Sequence, residues 1–266
     1  MAHQRLDNVL VSRGFFLTRE KARAAVLAGE VRVASVKAIK PGQRVDDDAT
    51  IEVAAAKKYV SRGGLKLEGA LDEFRLDVSG VRAIDIGAST GGFTDCLLKR
   101  GARSVTAVDV GYGQLAWSLR EDERVTVFER TNIRHATPEA LGAPFDLAVV
   151  DVSFIGLLVV AGRVIDLLAE EGSLLALVKP QFEVGKGRVG KGGVVRDPLL
   201  HREVLQRACD GMQDLGATTR GACVSPITGP KGNIEFWLWA QKGTGLSEAA
   251  IDVEAIVAEA HEKLGA

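Results

Sequence analysis

Cysteine is scarce. The chain carries only Cys96, Cys209 and Cys223, scattered and without paired spacing, which argues against a disulfide framework or a zinc site and fits a reducing compartment. Long apolar runs are also missing. No stretch approaches the roughly 20 apolar residues of a membrane helix, and the most apolar region, 145–160, is broken by Asp146 and Asp151. Met1 to Asp7 shows no basic-then-apolar leader, so no secretion signal is expected and the chain is expected in the cytoplasm. No charge dominates either: the net value is −1, with 46% hydrophobic and 26% charged residues, an ordinary globular balance. What is present is length and an uneven distribution of charge. The 266 residues allow a small domain and a full α/β domain. Residues 1–60 hold 11 Lys and Arg against 7 Asp and Glu, and the rest holds 23 against 28. Attraction to phosphate is thereby delegated to the front of the chain.

That front segment is expected to run helix, turn, helix, short strands. Leu6, Val9 and Leu10 form one apolar stripe, and Ala22, Ala25 and Val26 a second, at helical spacing. Thr18 suits the N-cap of the second helix, with Glu20 in its first turn. Gly29 ends it, Val31 and Val33 alternate with Arg32, Pro41-Gly42 marks a turn and 50–53 closes as a strand. Arg5, Arg13, Arg19, Lys21 and Arg23 cluster on the helical pair. With Arg5-Leu6-Asp7, Ser12-Arg13-Gly14, Thr18-Arg19-Glu20-Lys21-Ala22 and Gly29-Glu30-Val31-Arg32-Val33, the segment resembles the S4-type RNA-binding domain. That domain occurs in a small-subunit ribosomal protein, some pseudouridine synthases and tyrosyl-tRNA synthetases. The resemblance implies RNA contacts from those five basic residues and from Lys40.

From residue 81 the pattern becomes strands alternating with helices. Residues 81–86, 104–110, 124–128, 146–152 and 173–178 are aliphatic runs without clean polar alternation, as strands buried on both faces should be. Helix-length segments, such as 94–100 and 157–169, lie between them. The expected fold class is α/β, a Rossmann-like doubly wound sheet behind the small α+β domain. Residues 222–225 and 235–241 would add a closing pair of strands. Ser247 would start a last helix with Ile251, Ile256, Val257, Ala260 and Leu264 mostly on one face.

The first of these strands runs into Asp85-Ile86-Gly87-Ala88-Ser89-Thr90-Gly91-Gly92-Phe93-Thr94. Glycines let the backbone turn tightly and approach a ligand. The loop departs from the dinucleotide pattern, and a pyrophosphate wants an uncharged helix N-terminus, not an adjacent carboxylate. A cofactor bearing an ammonium and a sulfonium tolerates Asp85. Asp109, at the end of the second strand, is placed to accept hydrogen bonds from a ribose diol, and Asn132, after the third, to lie beside an adenine. The constellation resembles class I methyltransferases, nearest the FtsJ branch of ribose 2′-O-methyltransferases. The resemblance implies S-adenosylmethionine as cofactor, contacted by Asp85, Gly87, Ala88, Ser89, Gly91, Gly92, Phe93, Asp109, Asn132 and Asp151.

Methylating a ribose hydroxyl calls for a nearby base, and a free lysine serves poorly unless burial or a neighbouring cation tunes it. Two lysines and two carboxylates in a strand-end crevice would be neutral together and tunable. Asp151 ends the fourth strand, Lys179 the fifth, Glu235 starts the last, and Lys66 lies on a helix before the first. The order Lys–Asp–Lys–Glu resembles the tetrad of the 2′-O-methyltransferases. With Ser61-Arg62-Gly63-Gly64, Asp151-Val152-Ser153-Phe154, Lys179-Pro180-Gln181-Phe182-Glu183 and Gly232-Asn233-Ile234-Glu235, the match extends to the TlyA (hemolysin A) family. It implies an rRNA cytidine 2′-O-methyltransferase acting on small- or large-subunit RNA within ribosomal subunits. Lys179 would be the base or orient the hydroxyl, Lys66 and Glu235 would tune it, and Asp151 would sit between cofactor and substrate. Members with an extra C-terminal helix are thought to modify both subunits, and residues 247–264 would be such a helix. Expected boundaries are 1–56 for the RNA-binding domain, 57–60 for a linker and 61–266 for the methyltransferase domain.

Residues 185–193 form a basic, glycine-rich loop, too flexible to be a helix. Its Lys186, Arg188 and Lys191 are positioned to close over RNA phosphates. No metal site and no membrane partner are expected. Two rival functions are a membrane-damaging hemolysin, which would need a spanning or amphipathic element, and a non-catalytic ribosome-assembly factor, which would need no tetrad.

Overall fold

A computed structural model of the chain describes residues 3–54, 58–185, 187–243 and 250–265. Lys57 of the expected linker, Lys186 and Ser247 lie outside the described residues. Two compact units are present, Met1–Lys57 and Lys58–Ala266.

The first unit contains β1 (His3–Arg5), α1 (Leu6–Ser12), α2 (Arg19–Leu27), β2 (Val31–Val33), β3 (Val36–Lys37), β4 (Arg44–Asp46) and β5 (Ile51–Val53). The two helical stripes meet over Val31, with Leu6, Leu10, Ala22 and Val31 fully buried. Thr18 caps α2, its hydroxyl accepting from the Lys21 amide at 3.3 Å. β1 pairs with β4, and β2 lies between β3 and β5, all antiparallel. Three of these strands, β1, β3 and β4, were not expected: each has two or three residues, too few to show a period.

The second unit opens with α3 (Arg62–Glu73), β6 (Arg82–Ile86), α4 (Gly92–Lys99), β7 (Ser104–Val108), α5 (Trp117–Arg120) and β8 (Val125–Phe128). It continues with α6 (Pro138–Leu141), β9 (Phe145–Val150), α7 (Leu157–Asp166), β10 (Leu168–Val178) and α8 (Pro180–Glu183). It ends with α9 (Pro198–Asp214), β11 (Ala217–Val224), β12 (Phe236–Lys242) and α10 (Val253–Leu264). The seven strands line up as β11-β12-β10-β9-β6-β7-β8. The five from β10 to β8 are parallel, and β12 and β11 run antiparallel at one edge. Alternate residues feed two cores, one per face: Ala148, Val150, Leu174 and Ala176 pack toward α7 and α9, while Leu147, Val149, Leu175 and Leu177 join α3 and α4. Burial on both faces is why these strands read as unbroken apolar runs.

Three expectations need correction. α10 begins at Val253, where the Asp252 carboxylate accepts from the Ala255 amide at 2.9 Å, so Ile251 precedes the helix. The 17-residue α9 was not anticipated, although Asp197 caps it and Pro198 opens it. The glycine-rich loop carries one 3-10 turn at Lys191–Gly193, and Val189 packs against the core.

Trp237 is fully buried on β12 and packs its ring 5.3 Å from that of Phe93 on α4. Trp237→Ala is expected to lower the unfolding free energy by ~3–5 kcal/mol, read from urea denaturation curves.

Candidate active site

β6 lies between β7 and β9. The chain leaves β6 toward one side of the sheet and returns to β9 on the other, so their carboxyl ends open a crevice at the switch point. The two ends are tied directly: the Asp151 amide donates to the Ile86 carbonyl at 2.9 Å. Gly87 adopts φ +84°, and a Cβ there would collide with the Asp151 carbonyl, so this approach requires glycine.

A cleft of about 520 Å³ opens here, bordered by Gly87, Ser89, Asp109, Asn132, Asp151 and Phe154, a size suited to a nucleoside-bearing ligand. Asp109 accepts from the Ser89 and Gly111 amides, each at 2.7 Å. Those bonds fix both carboxylate oxygens, and each keeps lone-pair capacity for a diol. The Asn132 side-chain carbonyl accepts from the Arg134 amide at 3.1 Å, leaving its amide nitrogen to donate. A second cavity of about 240 Å³ shares Gly87, Ser89 and Asp151 and adds Ala88, Gly92, Phe93, Ser61, Arg62 and Lys66. Asp85 and Gly91, expected to touch the cofactor, border neither cavity. Gly91 is the left-handed N-cap of α4. Asp85 is fully buried and braces the loop from behind, accepting from the Thr94 amide at 3.0 Å and its hydroxyl at 2.7 Å.

The four tetrad residues form two ion pairs. Lys66 on α3 meets Glu235 at 2.5 Å, both buried. Lys179 pairs with Asp151 and donates to the Ser153 hydroxyl at 3.0 Å. Gly229 makes room for the first pair, because a Cβ there would strike the Glu235 carboxylate. Phe154 escaped expectation as a site residue. It is 91% exposed, holds φ +66° and stacks its ring 5.0 Å from Phe182. A bulky residue kept in that conformation, unburied at the cleft's rim, is uncommon and makes Phe154 a candidate site residue. Arg62 also went unassigned; it donates to the Thr228 carbonyl at 2.6 Å beside Lys66.

The basic residues of the first unit are partly engaged. Arg5 and Arg19 both bond the buried Asp7 carboxylate, at 2.8 and 3.2 Å, and the bond from Arg5 holds that carboxyl down at about 2. About half of each arginine side chain stays exposed. Arg13 donates to the backbone carbonyls of Ala49 and Asp47. Lys21, Arg23 and Lys40 are exposed. In the second unit Arg188 forks onto Glu203, at 2.7 and 2.5 Å, and Lys191 is exposed.

Residues 59–242 match the FtsJ-like methyltransferase family and residues 4–51 the S4 domain. The chain belongs to the FtsJ-like methyltransferases, in the TlyA group. The 16S/23S rRNA (cytidine-2′-O)-methyltransferase TlyA of Mycobacterium tuberculosis is 47% identical over 94% of each chain. A Brachyspira hyodysenteriae protein named Hemolysin A is 42% identical over 87% of this chain and 97% of its own. A solved structure from Streptococcus thermophilus, carried under a provisional hemolysin name, superposes with a TM-score of 0.75 at 41% identity, covering 99% of this chain and 97% of its own. Among the described residues no helix is long and apolar enough to cross a membrane, and no cluster of three or more His, Cys, Asp or Glu could hold a metal.

Burial raises the Asp85 carboxyl to about 7. Between its unfolded value near 4 and that folded value, the folded chain holds a proton that the unfolded chain has released, so this group's contribution falls as pH rises. Thermal melts of native protein and Asp85→Asn from pH 4 to 8 test the sign. The native protein is expected to lose on the order of 2–4 kcal/mol relative to the variant across that window.

Proposed function

We propose that the chain methylates the 2′-hydroxyl of a cytidine ribose in ribosomal RNA of the small subunit, the large subunit or both, using S-adenosylmethionine, in the cytoplasm. The observation that carries this reading is a pair of lysine–carboxylate bridges beside the sheet's switch point: Lys179–Asp151, whose aspartate borders both the nucleoside-sized cleft and the smaller cavity, and Lys66–Glu235, whose lysine borders the smaller one. Residues 1–56 would dock on folded RNA, 57–60 would link, and 61–266 would carry the chemistry. Names of relatives that act on rRNA and the S4 domain support an RNA substrate.

The residues around the cleft fit the cofactor. Asp109 has lone pairs for a ribose diol, Asn132 offers an amide to an adenine edge, and Gly87, Ala88, Gly92 and Phe93 form a close-approach cradle. S-adenosylmethionine, when bound, supplies an electrophilic methyl group on a sulfonium. The chain's part is to aim the ribose oxygen and take its proton. Lys179, in its neutral amine form, accepts a hydrogen bond from the hydroxyl and receives that proton to become the ammonium, Asp151 holds the Lys179 amine in place and balances the charge it gains, and Lys66 with Glu235 sets the local charge. Such positioned proton transfer contributes ~10²–10⁴-fold. Phe154 offers an aromatic face at the rim for a base turned out of its stack. The RNA-binding assignment covers Arg5, Arg13, Arg19, Lys21, Arg23, Lys40, Lys186, Arg188 and Lys191.

The direct test is transfer of labelled methyl from S-adenosylmethionine to unmethylated ribosomal subunits. Label in the ribose is expected with native protein and a ~10²–10⁴-fold slower rate with Lys179→Ala; undiminished transfer by that variant would remove Lys179 from the mechanism. Phe154→Ala is expected to weaken RNA binding by ~1–3 kcal/mol, measured by titration calorimetry with RNA.

A further inference from the structure

Behind the Lys66–Glu235 pair lies a hydrogen-bonded chain that starts on the C-terminal helix. Glu235 sits two residues after Asn233, whose buried amide cross-links two loops: its oxygen accepts from the Val195 amide at 3.1 Å, and its nitrogen donates to the Gly193 and Pro230 carbonyls at 3.0 and 3.1 Å. The Val195 carbonyl in turn bonds His201 Nε2 at 3.2 Å, and His201 Nδ1 lies 2.9 Å from His261 Nε2 on α10. The His201 ring also stands edge-on to Phe236, the residue after Glu235, with centroids 5.6 Å apart. His201 therefore supports Glu235 from both sides along the backbone.

The proton positions follow from elementary constraints. A carbonyl only accepts, so His201 must carry its proton on Nε2. His201 is fully buried, and burial followed by the facing His261 drops its pKa to about 4, so it has one N–H at neutral pH. Its Nδ1 is then an acceptor, and His261 Nε2 must be the donor. The chain has one direction, from α10 through α9 to the 193–195 loop. Nearby charges are Asp197 at the N-cap of α9 and the Arg202–Glu254 pair, at 3.1 Å, which joins α9 to α10.

We propose that His261 and His201 are positioning residues for methyl transfer: α10, through this two-imidazole relay, sets the place of Glu235 and hence of the Lys66 amine. The C-terminal helix is thus coupled to the active site. This rests on the methyl-transfer reading only for its kinetic consequence; the geometric part stands apart from it.

The test uses the full chain with His261→Gln, whose side-chain amide can donate as Nε2–H does, and His261→Leu, which cannot. With His261→Leu, turnover at saturating cofactor and RNA is expected to fall ~10-fold or more, KM for each staying within ~2-fold, since small misplacements act on kcat. His261→Gln should restore most of the turnover. A second readout needs no activity: acetylation of Lys66 by acetic anhydride, followed by mass spectrometry, should rise several-fold in the leucine variant alone as Glu235 shifts. Native turnover and Lys66 protection in His261→Leu would overturn the proposal, as would equal defects in both variants. If the leucine variant does not fold, imidazole ¹⁵N spectra of the native protein decide: Nε2–H on His201 with a bare Nδ1 upholds the relay, and Nδ1–H on His201 ends it. Native protein that methylates no ribosomal RNA, yet shows the Lys66 response, would defeat the methyl-transfer reading and retain the relay.

Discussion

The buried pairing of Lys66 with Glu235, 169 residues apart in sequence, is the contact that ties α3 to the start of β12. Removing two charges from water costs several kcal/mol per ion unless each finds its partner. α3 must therefore dock where its lysine reaches the start of β12, and the loop before β12 must deliver the glutamate there. The means are local. Gly229 leaves the space that the carboxylate fills, and Asn233 locks the neighbouring loop against 193–195. Just before α3, Tyr59 is buried and donates to Glu68 at 2.7 Å, fixing the segment that precedes the helix.

The second constraint is backbone proximity at the switch point. Ile86 and Asp151 share a hydrogen bond, and Gly87 lies against the Asp151 carbonyl, so the glycine-rich loop after β6 and the end of β9 are held together. Asp151 borders both cavities and also pairs with Lys179, which links the two cavities to that lysine. Asp85 shows the cost of this rigidity: a carboxyl with no exposure, one oxygen satisfied by Thr94 and the other without a partner among the described residues.

Much of this was legible beforehand because strand ends and loop chemistry are local properties. Asp109, Asp151, Lys179 and Glu235 each fall at or beside a strand terminus that the apolar runs delimit, and the glycines of 87–92 announce a tight turn before a helix. Asp85 looked like a ligand contact from its place in that motif, but alternation along β6 sends its side chain to the α4 face. Arg5 and Arg19 were read only as RNA contacts; the buried Asp7 carboxylate is also their shared anchor. The shortest strands had no period to read, and α9 went unnoticed despite its Asp197-Pro198 opening.

The order of residues alone thus settled the class of fold and the position of the glycine-rich turn after β6, because periodicity, caps and turns act over a few residues. Which lysine pairs with which carboxylate, how Asp7 engages the arginines, and how His261 reaches Asn233 were settled only by tertiary structure. Apart from the Arg5–Asp7 and His201–Val195 bonds between near neighbours, those contacts join segments 12 to 169 residues apart that only the folded chain brings together, and no local pattern encodes that distance.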